Sequence, residues 1–277
     1  MLGRTLCSQL LNHEVIPTDI PEVDITNATL LDTVLSDYKP DVVIHCAAMT
    51  NVDLCESQQE QAYLINAYGT KNIACSCNRL GIRLIAISTD YVFDGISQMP
   101  YNEFCHANGG NTIYGKSKFA GEEQVRLYCP NHIIARISWL YGSGGPSFVH
   151  TMVKLADGTR PVLKVVSDQI GNPTSTIAVA HKLLELIERP NLVGTFHLTC
   201  EGKASWFDFA QEIFQQLNLK QKVVPCTTEE YPRPAPRPHN SCLDKMMLRF
   251  SGLSPMPHWK DALHEFLASE FQNKAID

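Results

Sequence analysis

The sequence predicts an α/β protein built on an open, doubly wound parallel sheet. Two runs, Asp41-Val42-Val43-Ile44-His45-Cys46-Ala47-Ala48 and Arg83-Leu84-Ile85-Ala86-Ile87-Ser88-Thr89, are continuously apolar rather than alternating. Strands covered on both faces have that pattern. Helical stretches separate these runs from each other and from a third strand, His132 to Ser138, and strand–helix alternation favours parallel pairing through crossovers. The chain has 277 residues, 44% of them hydrophobic, enough to bury a core of one large domain or one and a half.

The chain opens on Met1-Leu2-Gly3-Arg4 and runs straight into a helical pattern with Leu6, Leu10 and Leu11 on one face. A short strand is expected at Val15-Ile16, then a polar stretch containing Asp24-Ile25-Thr26, then a helix from about Ala28 to Tyr38. Pro40 introduces the first buried strand, and residues 57 to 79 read as a single long helix closed by Gly81. After the second buried strand, a loop leads to the helix carrying Tyr114. The second half is less regular. Helices are expected at about 148 to 156, 176 to 188, 205 to 217 and 259 to 271, with a strand at Val162 to Val166. The stretch Tyr231-Pro232-Arg233-Pro234-Ala235-Pro236-Arg237-Pro238 could be a stiff polyproline linker or an SH3-type ligand. Its place between folded elements favours an ordered loop over a pocket.

Composition excludes several classes. A net charge of -6 without long like-charge runs gives no surface for nucleic acid. Ten cysteines without CxxC or zinc-type His/Cys spacing, and no signal peptide, point to reduced thiols in the cytoplasm. No apolar run approaches the ~18 residues of a membrane span.

In open parallel sheets the ligand sits beyond the C-terminal strand ends. Ala47 to Thr50, Ser88 to Asp90 and Ser138 to Tyr141 fall there. Tyr114 and Lys118 are four apart, hence on one helix face. A nearby ammonium stabilises a phenolate and lowers a tyrosine from its usual pKa near ~10, which suits proton transfer. The spacing alone arises by chance in roughly half of chains this long, so its weight comes from its surroundings. Each other candidate also has a plainer role. Thr89 could simply end a strand, Asp90 could cap a turn, and Ala47 and Ala48 could serve tight packing. Asp24 could sit in a turn, Trp139 could be core, and Arg237 and His239 could be exposed loop cations. His45 and His197 read as hydrogen-bonded core residues.

Together the stretches HCAAMTNVDLCE (45–56), STDYVFDG (88–95), YGKSKFAGE (114–122), RISWLYG (136–142), DQIGNPT (168–174) and RPHNS (237–241) resemble the extended short-chain dehydrogenase/reductase superfamily. Within it they are most similar to the dTDP-4-dehydrorhamnose reductase family. The resemblance implies an NADP-binding Rossmann-like domain over 1–142, also receiving parts of 143–200, and a smaller sugar-nucleotide lobe over most of 143–277. It implies reduction of a 4-keto nucleotide sugar by NADPH, with NADH the alternative. Tyr114 would be the proton donor, Lys118 would lower its pKa and hold the nicotinamide ribose, and Thr89 would polarise the carbonyl. Thr89, Asp90, Trp139 and Arg237 would contact substrate. Gly3, Asp24, Ile25, Ala47, Ala48, Met49 and Thr50, with Tyr114 and Lys118, would line the cofactor. The family is also associated with Mg²⁺ and homodimers, although no local carboxylate cluster here supports a metal site.

The chain departs from the family at its start. Only Gly3 remains of a GxxGxxG turn, and the strand before it is absent, so a truncated start and severely reduced NADPH affinity are expected. Two other readings of the same fold stay open. One is a non-catalytic regulator like the methionine adenosyltransferase beta subunit, and the other is a nucleotide-sugar epimerase.

Overall fold

The structure, a computed structural model, describes residues 1–272; the last five residues of the expected lobe, 273–277, lie outside the described residues. In chain order the elements are α1 (Leu2–Gln9), α2 (Ala28–Tyr38), β1 (Val42–His45), α3 (Val52–Ser57), α4 (Gln59–Tyr63), α5 (Thr70–Leu80), β2 (Arg83–Thr89), α6 (Ile113–Tyr128), β3 (His132–Ile137), β4 (Leu140–Tyr141) and α7 (Phe148–Leu155). They continue with β5 (Leu163–Val166), β6 (Ile170–Gly171), β7 (Thr174–Ser175), α8 (Thr176–Ile187), β8 (Gly194–His197), β9 (Ala204–Ser205), α9 (Trp206–Gln216), β10 (Val223–Cys226), α10 (Met246–Phe250) and α11 (Trp259–Leu267).

The main sheet has the order β1-β2-β3-β8, and every pairing in it is parallel. Successive side chains of a strand face opposite ways, and both faces here are apolar. Ile85, Ile133 and Ala135 pack on one side with Leu2 and Leu6 of α1, Leu10 just after it, and Val179, Leu183 and Leu186 of α8. Leu84, Ala86 and Ile134 pack on the other with Leu31 and Leu35 of α2, Ile73 and Cys77 of α5 and Val125 of α6. This two-sided burial is why the strands read as unbroken apolar runs. Because β8 joins this sheet, the chain returns to it after residue 142. A second, two-stranded parallel sheet of β5 and β10 carries α9 against it.

Two expectations need correction. Val15-Ile16 forms no strand. Pro17 removes a ladder donor directly after it, and Val15 packs its side chain on the larger core instead. The long helix expected over 57 to 79 is broken. Gln58 leaves helical geometry at φ -122 and ψ 57, and a π-helical turn spans Leu64–Gly69 before α5. That turn holds the buried Asn66, whose side chain leaves the helix to bond the loop after β1. The Pro-rich stretch is ordered. Ile170 N donates to His239 O at 2.8 Å and Asn240 N to Gly95 O at 3.0 Å. Gly95, at φ +76, lies where a Cβ would meet the Pro238 ring at 2.3 Å.

Helix α6 is tied to the sheet by a buried carboxylate. Glu122 accepts from Arg136 Nε at 2.8 Å and Nη2 at 2.6 Å, from Ser88 Oγ at 2.6 Å and from Arg126 Nη2 at 2.8 Å. Burial alone would raise its pKa, but the two guanidiniums and the hydroxyl hold it down at about 2. Glu122→Gln leaves Arg136 buried without its counter-charge, and a cost of about 3–5 kcal/mol is expected in urea unfolding at neutral pH. The folded pKa lies below the unfolded ~4.3. The stabilisation is therefore present above that pH and is lost as pH falls towards 2. The difference between wild type and variant should shrink across that window.

Candidate active site

The candidate residues sit where the parallel strands end. Thr89 is the last residue of β2 and is buried. Its hydroxyl accepts from Tyr91 N at 3.2 Å and donates to Asp90 Oδ1 at 2.9 Å. The Tyr114 phenol lies close enough to the same hydroxyl for Thr89 to act on its pKa. Tyr114 lies in the first turn of α6, which begins there because Thr112 caps it, accepting from Gly115 N at 2.9 Å. No side chain fits at Gly115, where a Cβ would lie 2.2 Å from Tyr91 O, so α6 meets the segment after β2 backbone to backbone. The Tyr91 ring stands edge-on to Tyr114 with centroids 5.5 Å apart.

One turn along α6, the buried Lys118 donates from Nζ to Ile87 O at 2.8 Å. Burial lowers its pKa to about 8, against the opposing pull of Glu122. Tyr114 is pushed well above the ordinary tyrosine range by burial, with Thr89 pulling the other way. The lowering by Lys118 expected from the spacing does not figure among the causes of this shift; the Lys118 ammonium is engaged with Ile87 O instead.

Asp90 is buried, and its Oδ2 has no hydrogen-bond partner. Burial raises its carboxyl to about 6, opposed by the Ser241 and Thr89 hydroxyls. Ser241 Oγ comes close but has no partner at proper hydrogen-bond geometry either. An orphaned carboxylate oxygen beside Thr89 and Tyr114 suits a ligand hydroxyl that would complete it.

The segment after β1 reaches the same place. Ala47 and Thr50 are exposed, and Ala48 and Met49 half-buried. Asn66 accepts from Met49 N at 2.8 Å and donates to Met49 O at 3.1 Å and to Ser117 Oγ at 3.0 Å. Ser117 Oγ donates in turn to Tyr114 O at 2.9 Å. Asn66 thus joins this segment to the turn that carries Tyr114, a role that its sequence position inside a helical stretch did not reveal.

Other candidates stand further out. The exposed Asp24 carboxylate accepts from Thr26 N and Thr26 Oγ1 at 2.8 and 2.7 Å, which lowers its pKa. Ile25 packs on Gly69, where a Cβ would lie 2.7 Å from it. Trp139 has left-handed backbone at φ 45 and stacks on Trp206, with centroids 3.5 Å apart and planes at 4°. Gly171 admits the Trp139 ring, which a Cβ would meet at 2.4 Å. Trp206 was missed in the sequence because it opens a helix after the short strand β9, away from the strand ends of the main sheet. Arg237 pairs with Asp53 at 2.9 Å. His45 and His197 are buried and bonded, to Thr70 Oγ1 at 3.0 Å and Asp244 O at 2.8 Å. Among the described residues no group of three or more His, Cys, Asp or Glu could hold a metal ion.

The residues fit a dinucleotide. Lys118 Nζ has three donors and spends one on Ile87 O, leaving two for ribose hydroxyls. The first turn of α1 has no side-chain cap, and nothing lies within 4 Å of a Cβ built at Gly3. Its N–H groups can therefore meet an anionic group closely, as open helix N-termini do.

The environment of Asp90 makes a stability statement. Its folded pKa is raised above the unfolded ~3.9, so stability is lost as pH rises from about 4 to about 6. Asp90→Asn is expected to raise stability at neutral pH by about 2–3 kcal/mol, read by thermal or urea unfolding, and to have little effect below the lower limit.

The family model described as RmlD substrate binding domain matches residues 1–271. The Spore coat polysaccharide biosynthesis protein SpsK of Bacillus subtilis is 41% identical, covering 96% of this chain and 93% of SpsK. The crystal structure of a dTDP-4-dehydrorhamnose reductase from Clostridium acetobutylicum superposes with TM-score 0.93 at 47% identity, covering 97% of this chain and 95% of that one. That of the Bacillus anthracis dTDP-4-dehydrorhamnose reductase in complex with NADP gives TM-score 0.94 at 40% identity, with the same coverage. The parallel sheet, the strand-end site and these matches over nearly the whole chain agree, and the chain belongs to the RmlD substrate binding domain family.

Proposed function

We propose that this protein reduces dTDP-4-dehydro-β-L-rhamnose to dTDP-L-rhamnose with NADPH. The observation that carries this reading is the Tyr114 phenol beside Thr89 at the end of β2, with Lys118 one turn behind it. The names of its relatives support the same reaction, and the bound NADP of one neighbour supports the cofactor.

Bound NADPH supplies the hydride to the carbonyl carbon. Tyr114 supplies the proton to the carbonyl oxygen. Its pKa, raised by burial, keeps it fully protonated at neutral pH, the state a donor needs. The Thr89 hydroxyl reaches the same oxygen and stabilises charge developing there. Once the phenol has given up its proton, the nearby Lys118 ammonium offsets the phenolate. Its spare donors hold the nicotinamide ribose. Asp90 Oδ2 accepts from a sugar hydroxyl, Trp139 provides an apolar wall, and Arg237 meets the diphosphate. Ala47 to Thr50 let the cofactor approach the backbone, Gly3 and the first turn of α1 receive its pyrophosphate, and Asp24 and Ile25 stand towards its adenosine end. The division into a cofactor domain (1–142, also receiving parts of 143–200) and a sugar-nucleotide lobe over most of 143–277 belongs to the same proposal. So do a homodimer and a cytoplasmic setting, the latter in keeping with ten unpaired cysteines. No described helix is long and apolar enough to cross a membrane.

Turnover is followed as loss of NADPH absorbance with the 4-keto nucleotide sugar. Wild type should consume NADPH, and a protein that binds both ligands without doing so would sink the proposal. Tyr114→Phe should lower kcat by about 10²–10⁴, the usual contribution of a positioned acid. Its affinity for both ligands should change less than about threefold, a difference well under 1 kcal/mol.

A further inference from the structure

Helix α3 has two carboxylates that no part of the reaction uses. Asp53 and Glu56 are three apart, hence neighbours on one face of the helix. Asp53 Oδ1 accepts from Ala235 N at 3.1 Å and from Arg237 Nη2 at 2.9 Å. Arg237 Nη1 closes the knot by donating to Ala235 O at 2.8 Å. Ala235 is the one buried residue of the Pro-rich strap over 231–236. At the other end of the short helix, Glu56 Oε1 accepts from Ile113 N at 2.8 Å. Ile113 is the first residue of α6 and directly precedes Tyr114.

These contacts form a continuous chain from strap to acid: Arg237 and Ala235, Asp53, α3, Glu56, Ile113, Tyr114. The knot also lies close to the chemistry. Asp53 and Arg237 both act on the Tyr91 hydroxyl, whose ring stands against Tyr114. Asp53 and Ala235 take two of the five guanidinium N–H groups of Arg237, and the rest remain for an anion. Asp53 therefore sets the direction of the guanidinium without using it up.

We propose that α3 serves substrate capture and catalysis at its two ends: Asp53 positions Arg237 and the strap for the diphosphate of the nucleotide sugar, and Glu56 positions the helix end that carries Tyr114. The proposal rests on the reductase reading. Both are positioning residues, since each acts through another group, Asp53 through Arg237 and Ala235 and Glu56 through Ile113 N. They should separate kinetically, because one governs binding and the other the placement of the proton donor.

The test combines calorimetry of dTDP binding with steady-state kinetics. Asp53→Ala should weaken dTDP about tenfold and raise KM for the keto sugar by a similar factor, with kcat within about twofold. Asp53→Ala combined with Arg237→Ala should bind dTDP no more weakly than Arg237→Ala alone, as expected of residues that act as one unit. Asp53→Asn keeps an acceptor for Ala235 N and should show a smaller loss; it replaces the alanine variant if that one does not fold. Glu56→Ala should lower kcat about tenfold, because small misplacements of a reacting group are expensive. Its KM and NADPH affinity should stay within about twofold, and Glu56→Gln, which keeps the acceptor, should restore kcat. Unchanged dTDP affinity in both Asp53 variants, or losses that add in the double variant, would overturn the capture half. Unchanged kcat in Glu56→Ala would overturn the other. Since dTDP binding is read without turnover, a wild-type protein that binds dTDP but reduces no keto sugar overturns the reductase reading alone. The Asp53 comparison then still decides the clamp.

Discussion

The site depends on a buried ion pair, Glu122 with Arg136. A carboxylate removed from water is costly, and an interior ion survives only when charge and hydrogen bonds replace its hydration. Glu122 gains two guanidiniums and a hydroxyl. That arrangement permits only one setting of α6 against β2 and β3. Tyr114, Lys118 and Glu122 recur every four residues along the helix, and each meets β2: at Thr89, at the Ile87 carbonyl and at Ser88. The last contact is charge-assisted and buried and sets the rotation of the helix, while Glu56 at Ile113 N holds its first turn.

Much of this was legible in the sequence. The unbroken apolar runs marked β1 and β2 because both sheet faces are covered. The strand-end segments followed from topology, and the Tyr114–Lys118 spacing gave their shared face. What stayed hidden depends on contacts remote in sequence or on a balance of opposed energies. Asn66 matters through a π-helical turn, a one-residue change that leaves the hydrophobic pattern almost unaltered. Asp53, Glu56 and Trp206 take their meaning from partners far along the chain. The spacing of Tyr114 and Lys118 also could not show that burial dominates the phenol's pKa while the ammonium is engaged elsewhere.

The Pro-rich strap illustrates how a binding surface can be ordered in advance. Proline fixes φ and narrows the unfolded ensemble, so less conformational freedom is lost when the segment settles. The strap is nevertheless held at few points. Ala235 is tied to Asp53, and the following stretch is pinned by His239 and Asn240. A loop held in this way presents Arg237 with little further ordering, which benefits affinity.

The stacked indoles carry a consequence of another kind. Trp139 follows a strand of the main sheet and Trp206 begins α9 beside the smaller sheet, yet their planes lie 4° apart at 3.5 Å. Two chromophores in such register share their excitation, so the near-ultraviolet circular dichroism of the protein should carry a coupled signature that neither indole has alone. Trp259, the third tryptophan, lies 5.8 Å from Phe209 and contributes a separate background. The protein thus contains its own optical gauge of how the two sheets sit against each other, readable without any label.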